Sequence, residues 1–144
     1  MQIRKIEEKD LKDLAQLYKV LSDETCGMEE MLRKYHLINQ NSAYHLLGAE
    51  VDGKIVGTLM TVTCHDLVGQ FKAFMTIENV VVSVTCSGKG IGRALFAEAE
   101  RIAKEEECSY IYLVSGPTRT VAHKMYAALG YTDEGALGFR KYVK

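Results

Sequence analysis

The clearest chemistry in the chain sits in Ser87-Gly88-Lys89-Gly90-Ile91-Gly92-Arg93, where glycines recur at every second position alongside the cations Lys89 and Arg93. The loop follows a β-branched run, Met75 to Val84. It leads into a segment whose apolar residues Ile91, Leu95, Ala99 and Ile102 recur at helical spacing through Glu107. A glycine-rich turn feeding a helix start bares several backbone N–H groups at the positive end of the helix dipole, a ready seat for a phosphate or pyrophosphate. Two familiar phosphate loops fail on spacing. A Walker loop needs a glycine five positions before Gly88, and Ser83 stands there; its Ser or Thr after Gly-Lys is Gly90. The dinucleotide pattern G-x-G-x-x-G, started at Gly88, would end on Arg93.

Glycines at 90 and 92 after a strand resemble the acetyl-CoA loop of the GNAT acetyltransferase superfamily, Arg/Gln-x-x-Gly-x-Gly/Ala, with Ser87 departing from the usual Arg or Gln. A second stretch, Ala122-His123-Lys124-Met125-Tyr126 followed by Gly130-Tyr131, is similar to that family's Ala-x-x-x-Tyr and Gly-Phe/Tyr motif, with Arg119 where Asn is frequent. The resemblance covers residues 75 to 131 closely and the remainder in element order only. It implies an α/β chain of the GNAT acyltransferase fold, a mixed central sheet flanked by helices. It implies an acetyl-CoA-dependent N-acetyltransferase in which acetyl-CoA is held by Ser87, Gly88, Lys89, Gly90, Ile91, Gly92 and Arg93. The main chain of Val80, Val81 and Val82 would serve the acetyl carbonyl oxygen. The acceptor would be a primary amine of a small molecule or protein, attacking directly in a ternary complex. The resemblance also allows a homodimer.

Two side chains stand out for proton transfer. An amine acceptor with a pKa near 10 is mostly protonated at neutral pH, so a base or water relay assists attack. Glu78 is the acid within Ile77-Glu78-Asn79-Val80. It reads as that base or as a ligand for the acceptor ammonium; strand alternation alone would instead put it in solvent. Its surroundings are similar to the Ile-Glu-Asp of glucosamine-6-phosphate N-acetyltransferases, with Asn79 replacing Asp. The resemblance makes Tyr126 the donor to the departing thiolate; a packed aromatic beside Met125 and Leu129 is the alternative. His123 reads as a helix-surface residue and Cys86 as small apolar filler. Asp23, Glu24, Glu29 and Glu30 read either as an attractor of cationic amines or as a solvated acidic face. A second class of function is a non-catalytic acyl-CoA-binding module, sensory or regulatory, for which Ser87 and Arg119 speak; a P-loop nucleotide enzyme is a distant third.

The elements that must hold these residues follow the order β-α-α-β-β-β-α-β-α-β. Strands are expected at Gln2–Ile6, Tyr44–Val51, Lys54–Cys64, Phe71–Val84, Tyr110–Val114 and Leu137–Val143, with the fourth at the sheet's centre. Helices are expected after an Asp10 cap, over Met28–Ile38, from the glycine loop to Glu107, and from a Thr118 cap to Leu129. Asp52-Gly53 signals a two-residue hairpin.

Size and composition set the bounds. A chain of 144 residues reads as one domain, 1–144, with room for a core, and its formal charge of −1 offers nothing to nucleic acid. No apolar stretch approaches the roughly 18 residues of a membrane span, and the N-terminus lacks a signal-peptide core. Cys26, Cys64, Cys86 and Cys108 lack C-x-x-C spacing, and His36, His45, His65 and His123 lack paired ligand spacing. The expectation is reduced thiols in a cytoplasmic protein, no metal, and no membrane partner.

Overall fold

In the computed structural model, which describes residues 1–25 and 27–143, five strands form one sheet in sequence order. They are β1 (Gln2–Lys5), β2 (Tyr44–Val51), β3 (Lys54–Cys64), β4 (Phe74–Val82) and β5 (Ile111–Leu113). The pairs β1–β2, β2–β3 and β3–β4 are antiparallel and β4–β5 is parallel, so the sheet is mixed. Four α-helices accompany it: α1 (Leu11–Ser22), α2 (Met28–Asn39), α3 (Ile91–Glu105) and α4 (Thr120–Ala128). The chain forms two compact units, 1–113 and 114–144. The first holds the whole sheet with α1 to α3, and the second holds α4.

The hairpin at Asp52-Gly53 forms as its sequence signals, with both residues at positive φ (50° and 77°), as a turn matched to strand twist demands. The central strand is β3, not β4, because β4 lies second from the edge and contacts the short β5 over Met75–Ile77 alone. β4 is also shorter than expected, since Val84–Cys86 winds into a 3₁₀ turn ahead of the glycine loop. The expected closing strand is absent: residues 131–143 carry no strand, and Leu137, Phe139, Tyr142 and Val143 are exposed. A strand is stabilised by its neighbour's ladder, and a strand-favouring composition supplies no neighbour.

Helices cover both faces of the sheet. A Cβ added at Gly57 would lie 2.8 Å from Ile91 Cγ2 and 3.4 Å from Leu95 Cδ1, so α3 sits directly on β3 there. Met60, three residues on and therefore on the opposite face, lines a cavity together with residues of α1 and α2. On that face Leu11, Leu14 and Leu17 of α1 join Ile6, Tyr35, Ile55 and Val81 in a buried cluster. On the other, Leu95, Phe96 and Ala99 of α3 are fully buried. The end of α3 is tied down by Glu106, which accepts from the Thr63 hydroxyl and lies 2.7 Å from His45 Nε2.

Asp10 precedes α1 but does not cap it with its side chain. Its carboxylate is claimed by Arg4 (2.6 and 3.0 Å) and by the Glu7 N–H (2.8 Å), while Arg4 Nε also reaches Glu50 at 2.6 Å. This nearly buried bridge anchors the entry to α1 on β1 and β2. The hydrogen bond from Arg4 holds the Asp10 carboxyl below its usual range. A depressed carboxylate stabilises the fold above its unfolded pKa of 3.8, and that contribution is lost as the pH falls through the folded value. Asp10→Asn should cost about 2 kcal/mol at neutral pH, less than the ~3–5 of a fully buried pair because Glu50 still neutralises Arg4. Denaturant unfolding of both proteins from pH 7 to pH 3 checks this: the gap should narrow below about pH 4. A gap independent of pH would remove the charge from the explanation.

Candidate active site

The glycine loop reaches α3 through two residues in left-handed conformation, Gly88 (φ 76°) and Gly90 (φ 78°). Gly90 is the N-cap of α3, and its carbonyl accepts the Ala94 N–H at 3.0 Å. The N–H groups of Ile91, Gly92 and Arg93 therefore precede the first intrahelical bond. No side chain caps this end and no acid occupies its first turn. Ser87, Gly88, Lys89, Gly90 and Arg93 are exposed, whereas Ile91 and Gly92 are buried against the sheet. The end of a 15-residue helix is thus presented to solvent with its dipole uncompensated and two cations beside it. This arrangement fits a pyrophosphate: N–H donors, positive potential, and no carboxylate to repel it.

Upstream, β4 changes its surroundings within a few residues. Its ladder with β5 stops at Ile77. Its ladder with β3 pairs Met60 with Glu78 but Thr58 with Val81, so Leu59 faces both Asn79 and Val80. This is a β-bulge, with Asn79 at φ 56°. Asn is among the few non-glycine residues that tolerate left-handed backbone, which accounts for an amide at this point of a strand. Residues directly opposite in an antiparallel ladder share a face, so Glu78 lies on the face of Met60, which lines the cavity formed with α1 and α2; Glu78 itself is not a lining residue. Glu78 is exposed and Val80 and Val81 are buried. Asn79 lines the cavity itself, and so do Glu24 and Glu30 from the acidic group singled out in the sequence. Glu30 is engaged by Arg33 at 2.6 and 2.8 Å.

In the unit 114–144, Tyr126 is buried and its side chain is hydrogen-bonded to that of Ser115. Burial pushes the phenol above its usual pKa of 10.0, with Arg119's charge and the Ser115 bond partly offsetting it, so the hydroxyl keeps its proton at neutral pH. His123 is half-buried rather than on the helix surface, with Nε2 3.0 Å from Ser115 Oγ. Ser115 therefore joins both side chains. Sequence reading missed it because it lies outside both motifs. It missed Met60 because an apolar strand residue carries no mark of a cavity wall.

Cys64, Cys86 and Cys108 are free thiols, and Cys26 lies outside the described residues. Among the described residues there is no group of three or more His, Cys, Asp or Glu placed for a metal, and no helix long and apolar enough to cross a membrane.

The sequence model of the acetyltransferase (GNAT) family matches residues 9–131. Among solved structures, the chain is similar to a putative acetyltransferase from Agrobacterium tumefaciens, with a TM-score of 0.92, 25% identity, and coverage of 99% of this chain and 100% of that one. A transcriptional regulator from Bacillus halodurans gives a TM-score of 0.91 at 26% identity, covering 99% of both chains. The glucosamine-6-phosphate N-acetyltransferase of Arabidopsis thaliana gives 0.88 at 22% identity, covering 99% of this chain and 98% of that one, a likeness of fold.

The loop geometry makes a specific prediction. Nothing lies within 4 Å of a Cβ built at Gly90, and Asp is one of the side chains that enter left-handed backbone. Gly90→Asp should therefore fold, yet place a carboxylate beside the uncapped N–H groups that start α3. Calorimetric titration should show acetyl-CoA affinity reduced by about 100-fold or more, as for an unpaired charge brought against a phosphate site. Unchanged affinity in the folded variant would move the phosphate site elsewhere.

Proposed function

The chain belongs to the GNAT acetyltransferase family, and from that premise we propose that it transfers an acetyl group from acetyl-CoA to a primary amine by direct attack in a ternary complex. The observation that carries the proposal is the uncapped, acid-free start of α3, presented through Gly88 and Gly90 one short turn beyond the bulged strand that bears Glu78. Acetyl-CoA fits this loop and supplies an acyl group activated as a thioester.

The protein's part is binding, positioning and proton handling. Main-chain donors from Ser87 to Arg93 hold the pyrophosphate. The main chain of Val80 to Val82, beyond the end of the β5 ladder, serves the carbonyl oxygen as negative charge grows on it. Glu78 takes the proton of the attacking amine, directly or through water, as the new C–N bond forms. Tyr126 gives its proton to the sulfur as the C–S bond breaks and regains one from solvent. A buried phenol with a raised pKa suits this donor role, since it arrives protonated at neutral pH.

A second reading, binding of acyl-CoA without turnover in a regulatory module, draws support from the likeness to the Bacillus halodurans protein named a transcriptional regulator. Release of free thiol from acetyl-CoA in the presence of an amine separates the two, because a binding module releases none.

Two substitutions test the proton assignments. Glu78→Gln should lower kcat by roughly 10²-fold and alter the acidic limb of the pH–rate profile; an unchanged profile would make Glu78 a surface residue. Tyr126→Phe removes the hydroxyl alone. It should lower kcat and kcat/KM together by about 10- to 10³-fold with acetyl-CoA affinity unmoved. Near wild-type kcat in the folded Phe variant would take Tyr126 out of the reaction.

A further inference from the structure

The cavity lined by Asn79, the residue after Glu78, and by Met60, opposite Glu78 in the ladder, carries information about the acceptor that the motifs do not. It measures about 390 Å³, within the range of small-molecule sites, and lies wholly within residues 1–113. Its walls are Leu11, Leu14 and Tyr18 of α1, Met31 of α2, and Leu46 and Met60 of the sheet. The Tyr35 hydroxyl, which also borders it, is already committed to the Ile6 carbonyl at 3.2 Å. The charged residues that line it, Glu24, Glu30 and Lys34, are exposed, and Glu30 is held by Arg33. The polar groups thus stand towards solvent, while the deeper surface is hydrocarbon and thioether.

From this we infer that the acceptor is a primary amine carried on an apolar aryl or alkyl body, with the body against the α1–α2 wall and the nitrogen towards Glu78. The inference rests on the acetyl-transfer reading above and narrows it. A polyhydroxylated amine would bury hydroxyls against Leu11, Leu14 and Met60 without partners, which costs free energy for each one left unpaired. A phosphorylated amine would meet two carboxylates against a single ammonium among the lining residues. An amine with an apolar body can keep its nitrogen at the polar, solvent-facing rim, while the body loses little on leaving water and gains from covering the wall. The extra residue at Asn79 brings the two parts together, since it leaves Glu78 on the cavity's face directly opposite Met60.

The test uses the whole chain, acetyl-CoA, and two sets of amines. The first set is the straight-chain amines from propylamine to hexylamine, with phenethylamine. The second is glucosamine 6-phosphate and an aminoglycoside. Thiol release is followed alongside calorimetric binding of each amine. We expect kcat/KM to rise roughly fourfold per added methylene until the cavity is filled, with phenethylamine far ahead of the second set. Met60→Lys should weaken phenethylamine binding about tenfold or more while acetyl-CoA affinity stays unchanged, which also reports that the variant is folded. Met31→Gln gives the same reading from the opposite wall should Met60→Lys fail to fold. Preference for the second set would overturn the apolar class and leave acetyl transfer standing. Phenethylamine binding that is lost in Met60→Lys, with no thiol released for any amine, would support the ligand class and overturn transfer. Failure of every apolar amine to bind would overturn the inference outright.

Discussion

The site depends on one extra residue in β4. Strand alternation sends successive side chains to opposite faces, so an unbulged strand would fix Glu78 and Val80 on one side and Asn79 and Val81 on the other. The bulge resets that count. Glu78 stays on the face shared with Met60, while Val81, an odd number of residues further on, enters the same core cluster through its partner Thr58. The strand can therefore carry a carboxylate on the face of the cavity-lining Met60 and still close the core with a valine just beyond it. The cost is a left-handed backbone at Asn79, an unfavourable conformation for most side chains and a mild one for Asn.

The same strand delivers the chain to the glycine loop, and a close approach fixes that loop's position. Gly57 has no side chain, so Ile91 and Leu95 can lie against β3 and seat the first turn of α3 on the sheet. The two glycines before it do a different job. Gly88 and Gly90 have open space around them and are required for their backbone angles, not for close packing. Their freedom lets the chain leave the Val84–Cys86 turn and enter α3 without a side-chain cap on its first N–H groups. Rigid seating of the helix and an exposed start together are what an anion site needs, because the donors are then aligned before the ligand arrives.

Much of this was legible in the sequence because it rests on local rules. The glycine spacing, the helical stripe of Ile91, Leu95, Ala99 and Ile102, and the Asp52-Gly53 turn are each set by a few neighbouring residues, and each appears as read. What was not legible depends on partners distant in the chain. Asp10 has the residue type and position of a helix cap, but Arg4 claims its carboxylate first. Leu137 to Val143 is rich in residues that favour strands, yet no ladder forms over it. β4 was read as central because its apolar run is long; the order of strands, which no single strand encodes, puts β3 there. Ser115 and the cavity wall were invisible for a related reason. Each acquires its meaning only from residues brought beside it by the fold, although Asn79 within a β-branched run was a usable sign of the bulge.

The central claim is that one cofactor loop and one apolar cavity, joined by a bulged strand, serve acetyl transfer to an amine. Residue-resolved amide NMR of the ¹⁵N-labelled chain tests it most directly, with acetyl-CoA added first and phenethylamine second. The account predicts that acetyl-CoA shifts the amides of Gly88, Gly90 and Gly92. Phenethylamine should then shift those of Glu78, Asn79 and Met60, while N-acetylphenethylamine and free coenzyme A accumulate in equal amounts in the same tube. Acetyl-CoA shifts confined to residues away from the α3 start, or saturation by both ligands with no product, would contradict it.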